Sequence, residues 1–125
     1  MAMYGVSILP LIQLVSNDQV KLKWYADDGN TVGSLANLHQ IMRMLLEHGP
    51  SFGYNLTKCH LILKPEFQDS AIETFHDLEV EIVEESRVLG SVIGSDQACR
   101  TYLERVAHDH TTLLRKLADQ MSTNV

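Results

Sequence analysis

Two adjacent carboxylates, Asp27 and Asp28, stand between a run of alternating apolar and polar residues and Gly29. Like charges held this close repel unless a cation neutralises them. Mg²⁺, or Mn²⁺ in its place, suits such a pair, because a hard ion prefers carboxylate oxygens and substrate phosphates. Two such ions activate an attacking hydroxyl and stabilise the leaving oxygen of a phosphoryl transfer. The same residues have a plainer use, since Asp-Asp-Gly is common turn chemistry on a solvated surface. Trp24 and Tyr25 just ahead are ordinary strand residues, so the local pattern leaves both uses open.

The pair needs a strand end to hold it. Val20, Leu22 and Trp24 alternate with Lys21, Lys23 and Tyr25, a period of two that predicts a strand with one buried face. Along a straight strand Asp27 and Asp28 would point apart, but at a turn two carboxylates approach one pocket. Asp28-Gly29 is the expected hairpin turn and 30–32 the return strand. Upstream, residues 1–15 are strongly apolar but lack a basic start and contain Pro10. They predict neither a signal peptide nor a membrane span, but a buried helix bent or ended near Pro10.

Downstream, Ser34 is placed to cap a helix whose apolar face is Leu35, Leu38, Met42, Leu45 and Leu46, ended by Gly49-Pro50. A loop over 51–57 leads to a short strand over 61–63. Pro65 opens a second amphipathic helix with Phe67, Ala71, Ile72, Phe75 and Leu78 inward. Val80, Ile82 and Val83 predict a strand, and 88–94 another, closed by glycines. Ser95 caps a long last helix with Tyr102, Val106, Leu113, Leu117 and Met121 near one stripe. Helices and strands mix without regular alternation. The expected fold class is therefore α+β, an antiparallel sheet with helices packed on one face, followed by a C-terminal helix.

Composition bounds the function. The chain has 125 residues, 45% of them hydrophobic, enough for one domain with a core. Its net charge of −6 argues against a free-standing nucleic-acid binder, because phosphate contacts need Lys and Arg. Cys59 and Cys99 form no zinc or redox pattern. His108 and His110 are two apart, so a helix points them away from each other, and the neighbours Cys59 and His60 face both ways on a strand. No glycine set forms a phosphate loop, and no spacing pairs a nucleophile with a base. Asn55-Leu56-Thr57 matches a glycosylation acceptor, which has no meaning without secretion. With no targeting signal visible, an intracellular location is expected, without membrane association and with no protein partner indicated.

Several stretches in order resemble one family. Tyr25-Ala26-Asp27-Asp28 resembles the Tyr-X-Asp-Asp turn of reverse transcriptases. The segment from Gly49-Pro50 to Lys58-Cys59 resembles the next motif, in which a helix ends in a glycine-containing loop and a lysine precedes a palm strand. Leu89-Gly90 with 91–94 is similar to the Leu-Gly hairpin near the primer terminus. Residues 1–12 look like the remainder of the helix that follows a Gly-Asp-Pro motif. The match is best to reverse transcriptases of eukaryotic retroelements and covers nearly the whole chain. RNA-dependent RNA polymerases share the turn but usually place Gly where this chain has Ala26.

The resemblance implies an RNA-directed DNA polymerase palm fragment, with template-primer and dNTP as partners of the intact parent and Mg²⁺ (or Mn²⁺) as its ions. Residues 1–94 would be a partial palm, and 95–125 a C-terminal helix beginning a thumb. Asp27 would be the stronger metal ligand and Asp28 the weaker or indirect one. Lys58 would lie near the incoming nucleotide's phosphates, as a charge or a proton donor; otherwise it is a surface lysine at a strand start. Leu89 and Gly90 would shape the primer-side hairpin, or simply a packed strand with a turn. The family palm uses a further aspartate, on a strand encoded ahead of the opening helix, and no residue before Met1 supplies it. The chain alone is therefore expected to be inactive. The competing expectation is a non-catalytic retroelement remnant or a small α+β interaction module.

Overall fold

A computed structural model describes residues 2–25, 28–88 and 90–123, and side chains from residue 8 onward. The fold is α+β, with small antiparallel sheets and a long C-terminal helix. Elements follow in the order α1 (Ala2–Val15), β1 (Lys21–Tyr25), β2 (Asp28–Val32), α2 (Leu35–His48), β3 (His60–Ile62), α3 (Gln68–Thr74), β4 (Glu81–Val83), β5 (Glu85–Val88), β6 (Ser91–Gly94) and α4 (Asp96–Thr123). The strands pair as β1–β2, β3–β4 and β5–β6. The antiparallel strands expected from the sequence are present, and among the described residues they form three ladders of two strands each.

The chain divides into two compact units. One comprises Met1–Cys59 with Asp69–Glu81, the other His60–Gln68 with Ile82–Val125. In the first, Ile8, Leu11 and Val15 of α1 pack with Ile41 and Leu45 of α2. Leu22 and Trp24 of β1 lie against this cluster, while Lys21, Lys23 and Tyr25 are exposed, so the period of two holds.

The helix α1 runs through Pro10 rather than ending there. Proline removes a backbone donor and costs about 3 kcal/mol inside a helix. Ile8, Leu11 and Val15 are each at most 2% exposed, and burying each stabilises by roughly 1.5–3 kcal/mol. That stripe outweighs the proline penalty, and Pro10 itself lies on the exposed side. No helix among the described residues is long and apolar enough to cross a membrane.

Two amphipathic assignments need correction. In α2, Met42 and Leu45 are buried and Leu35 and Leu38 half-buried as expected, but Ile41 is buried as well and Leu46 is exposed. After a 3₁₀ turn over Pro65–Phe67, only Ala71 and Phe75 of the next segment are buried, whereas Phe67 and Ile72 are half exposed. A helix of seven residues covers only a narrow strip of core, so part of its apolar pattern stays in water.

In the second unit, β5 and β6 form a hairpin whose turn includes Gly90 at φ 78°, a left-handed conformation that glycine adopts without penalty. The hairpin packs on the first turns of α4. Tyr102 donates its hydroxyl proton to the Gly90 carbonyl at 3.4 Å, and Arg87 lies 5.3 Å over the Tyr102 ring. Ser95 caps the helix as expected, its Oγ accepting from the Ala98 N–H at 3.2 Å.

Candidate functional site

The candidate site is the β1–β2 hairpin end. Its register pairs Tyr25 with Asp28, Trp24 with Gly29 and Lys23 with Asn30. Asp28 and Gly29, expected to form the turn, are therefore the first residues of β2. Pairing begins two residues earlier than turn propensity suggested, with Trp24 opposite Gly29. A Cβ on Gly29 would stand 2.8 Å from Trp24 Cζ3, so the indole ring lies directly over the glycine backbone. Glycine at this strand position serves close approach.

Directly opposed residues share one face of a ladder. Tyr25 and Asp28 thus stand together on the exposed face, with Lys21 and Lys23 further along the same strand. The opposite face carries Leu22 and Trp24 into the core. Trp24 meets Tyr54 edge-on, with ring centroids 5.1 Å apart and planes at 65°. Its Nε1 is buried without a hydrogen-bond partner among the described residues. The hairpin is thereby anchored from below by one large aromatic side chain, and its acidic end projects into water.

Asp27, the stronger ligand in the family comparison, lies outside the described residues, as does Leu89. Lys58 is exposed on the loop leading to β3, and no ion pair joins it to Asp28 among the described residues. Gly90 belongs to the second unit, where it turns the β5–β6 hairpin.

No three of His, Cys, Asp and Glu come together among the described residues as a metal centre requires. Among the described residues, Asp28 offers an exposed carboxylate at the hairpin end. Mg²⁺ takes near-octahedral oxygen coordination, usually through one or two carboxylates plus substrate phosphates. The described donors by themselves fall short of a two-ion centre.

A second polar cluster was not foreseen. His39 Nε2 and Asp77 Oδ1 are 2.8 Å apart, and Arg43 stands 3.6 Å from the other oxygen of Asp77. The hydrogen bond with His39, assisted by the charges of His39 and Arg43, holds the Asp77 carboxyl below its usual range. The His39 ring rests edge-on against Phe75 at 5.4 Å. These residues are 38 apart in sequence, so no local spacing signals the pair. Cys59 is half-buried, and burial raises its thiol pKa, which disfavours the thiolate.

The chain matches no known protein-family model, no curated protein and no solved structure.

Proposed function

We propose that this chain is a segment of the palm of an RNA-directed DNA polymerase, of the eukaryotic retroelement type. In its intact parent the segment would serve two-metal nucleotidyl transfer on a primed template, and alone it has no polymerase activity. The observation that supports the reading best is the hairpin register. Tyr25 faces Asp28 at the end of a two-stranded ladder, so the Tyr-Ala-Asp-Asp segment joins two strands, as the family resemblance requires. The capped α2, the left-handed Gly53 after it and a short strand beyond Lys58 follow in the family's order. Bound ions would supply Lewis-acid stabilisation of the phosphoryl oxygens. The chain's own share is to hold the carboxylate of Asp28 in water on a strand anchored by Trp24, one residue after Asp27 in the sequence.

The test is Mn²⁺ titration of the isotopically labelled chain. Paramagnetic broadening is expected first at the amides of Tyr25, Asp28 and Gly29, weakly, and lost in Asp27→Asn. Broadening centred elsewhere, or unchanged in that variant, defeats the reading. Template-primed nucleotide incorporation by the purified chain would overturn the proposed inactivity.

The second reading, a non-catalytic α+β interaction module, draws on the exposed apolar residues of α4, among them Leu103, Leu114 and Met121.

A further inference from the structure

The helix α4 spans 28 residues, and the β5–β6 hairpin packs only on its beginning. Beyond it the helix presents Leu113 at 58% exposure, Leu114 at 66%, Leu117 at 47% and Met121 at 72%, with Leu103 at 62% nearer the start. Residues 103, 106, 110, 113 and 117 follow one another at alternating steps of three and four, the spacing of a coiled-coil seam. A single helix leaves such a seam in water, where exposed apolar area of this kind marks an interaction surface.

Charge placement identifies what covers it. Asp109 and Lys116 are seven residues apart and flank the seam on the same side. Neither has an ion-pair partner among the described residues. Arg105, one turn before Asp109, lies 5.5 Å over the Tyr102 ring. In a parallel pair of α4 helices, the flank bearing Asp109 and Lys116 meets the other flank, which offers Leu114 and Met121. In an antiparallel pair, like flanks meet. Sliding the helices until Asp109 faces Lys116 of the second copy satisfies both charges, and two-fold symmetry makes the bridge twice. The same register sets Leu117 against Val106 and Leu114 against Ala107 of the second copy, with Leu113 against His110. This register answers the charges and covers Leu113, Leu114 and Leu117, while Leu103 and Met121 fall opposite Gln120 and Arg100 of the second copy, and one surface supplies both halves of the interface.

We propose that α4 pairs antiparallel with α4 of a second copy of this chain over residues 103–121, in the register that joins Asp109 to Lys116. The proposal does not depend on the polymerase reading.

The experiment is sedimentation equilibrium of the purified full chain at low salt, with charge reversal. A reversible monomer–dimer equilibrium is expected. Asp109→Lys and Lys116→Asp each place like charges opposite one another twice, and each weakens the dimer about tenfold, since two exposed pairs are lost. The double variant restores the wild-type constant to within about twofold. Leu113→Lys, at an exposed position that leaves the fold unchanged by circular dichroism, abolishes the dimer. A chain that stays monomeric at every concentration overturns the proposal. So does a dimer indifferent to the single reversals, or one that the double variant fails to restore. The Mn²⁺ experiment reads the hairpin alone, so either proposal fails without the other.

Discussion

Asp77 is a carboxylate whose titration the fold shifts. Its carboxyl is held low, chiefly by the hydrogen bond with His39, against an opposing effect of desolvation, and then by a backbone hydrogen bond and the charges of His39 and Arg43. A carboxylate whose folded pKa lies below its unfolded value stabilises the fold above the unfolded pKa. That contribution disappears as pH falls through the folded pKa, below about pH 4. The side chain is a third exposed, so the effect is a small one. Asp77→Asn is expected to lower the urea midpoint at pH 7, and the difference between the two proteins should shrink at acid pH, where the carboxylate takes up its proton. Equal midpoints at both pH values would show that the pair contributes nothing. At the hairpin, the corresponding single-residue device is Gly29 beneath Trp24, the one tryptophan of the chain, whose fluorescence reports directly on the site.

At the scale of elements, the caps behave as their chemistry requires. Ser34 sits in extended backbone ahead of α2, and its Oγ accepts from the Asn37 N–H at 3.3 Å. Ser34→Ala leaves that donor unsatisfied at the helix start and is expected to cost about 1 kcal/mol, read as a lowered urea midpoint with an unchanged slope. A change below about 0.3 kcal/mol would mean that water replaces the cap without loss. The element α1 shows the opposite balance, in which a stripe of buried residues carries a helix past a proline. In α4 the apolar stripe has no covering element within the second unit, and its exposure is the physical ground for self-pairing.

At the scale of the whole molecule, the first unit has a small core. Among the described residues, five buried side chains from two helices form its central cluster, and Leu11 is wholly enclosed. Leu11→Ala should cost about 2–5 kcal/mol in equilibrium unfolding. Domains of this size are stable by only about 5–15 kcal/mol, so the loss takes a large share. Leu103→Ala, at an exposed position, should stay within about 0.5 kcal/mol of wild type if the chain is kept dilute. A Leu11→Ala variant as stable as wild type would place the stabilising core elsewhere.

Local chemistry was legible wherever it is short in range. The period of two over 20–25, the serine caps at Ser34 and Ser95, the end of α2 at Gly49 and the mixed α+β class all follow from neighbouring residues, and the structure has each of them. Propensity misjudged positions decided by distant partners. Asp28-Gly29 reads as a turn from its residue types, yet both residues pair in the ladder, with the Trp24 ring over Gly29. Phe67 and Ile72 have an inward spacing but no core to meet, and Pro10 has a helix-ending chemistry that the buried stripe overrides. The pairing of His39 with Asp77 belongs wholly to tertiary structure, because only packing brings residues 38 positions apart to hydrogen-bonding distance. Sequence alone determined most helical segments, the first strand and where an acidic pair stands in the hairpin segment, but it read 88–94 as one strand where the structure has the hairpin of β5 and β6. The tertiary structure decided which faces are buried and which charges meet, since burial is a property of what lies across the interface rather than of the segment itself.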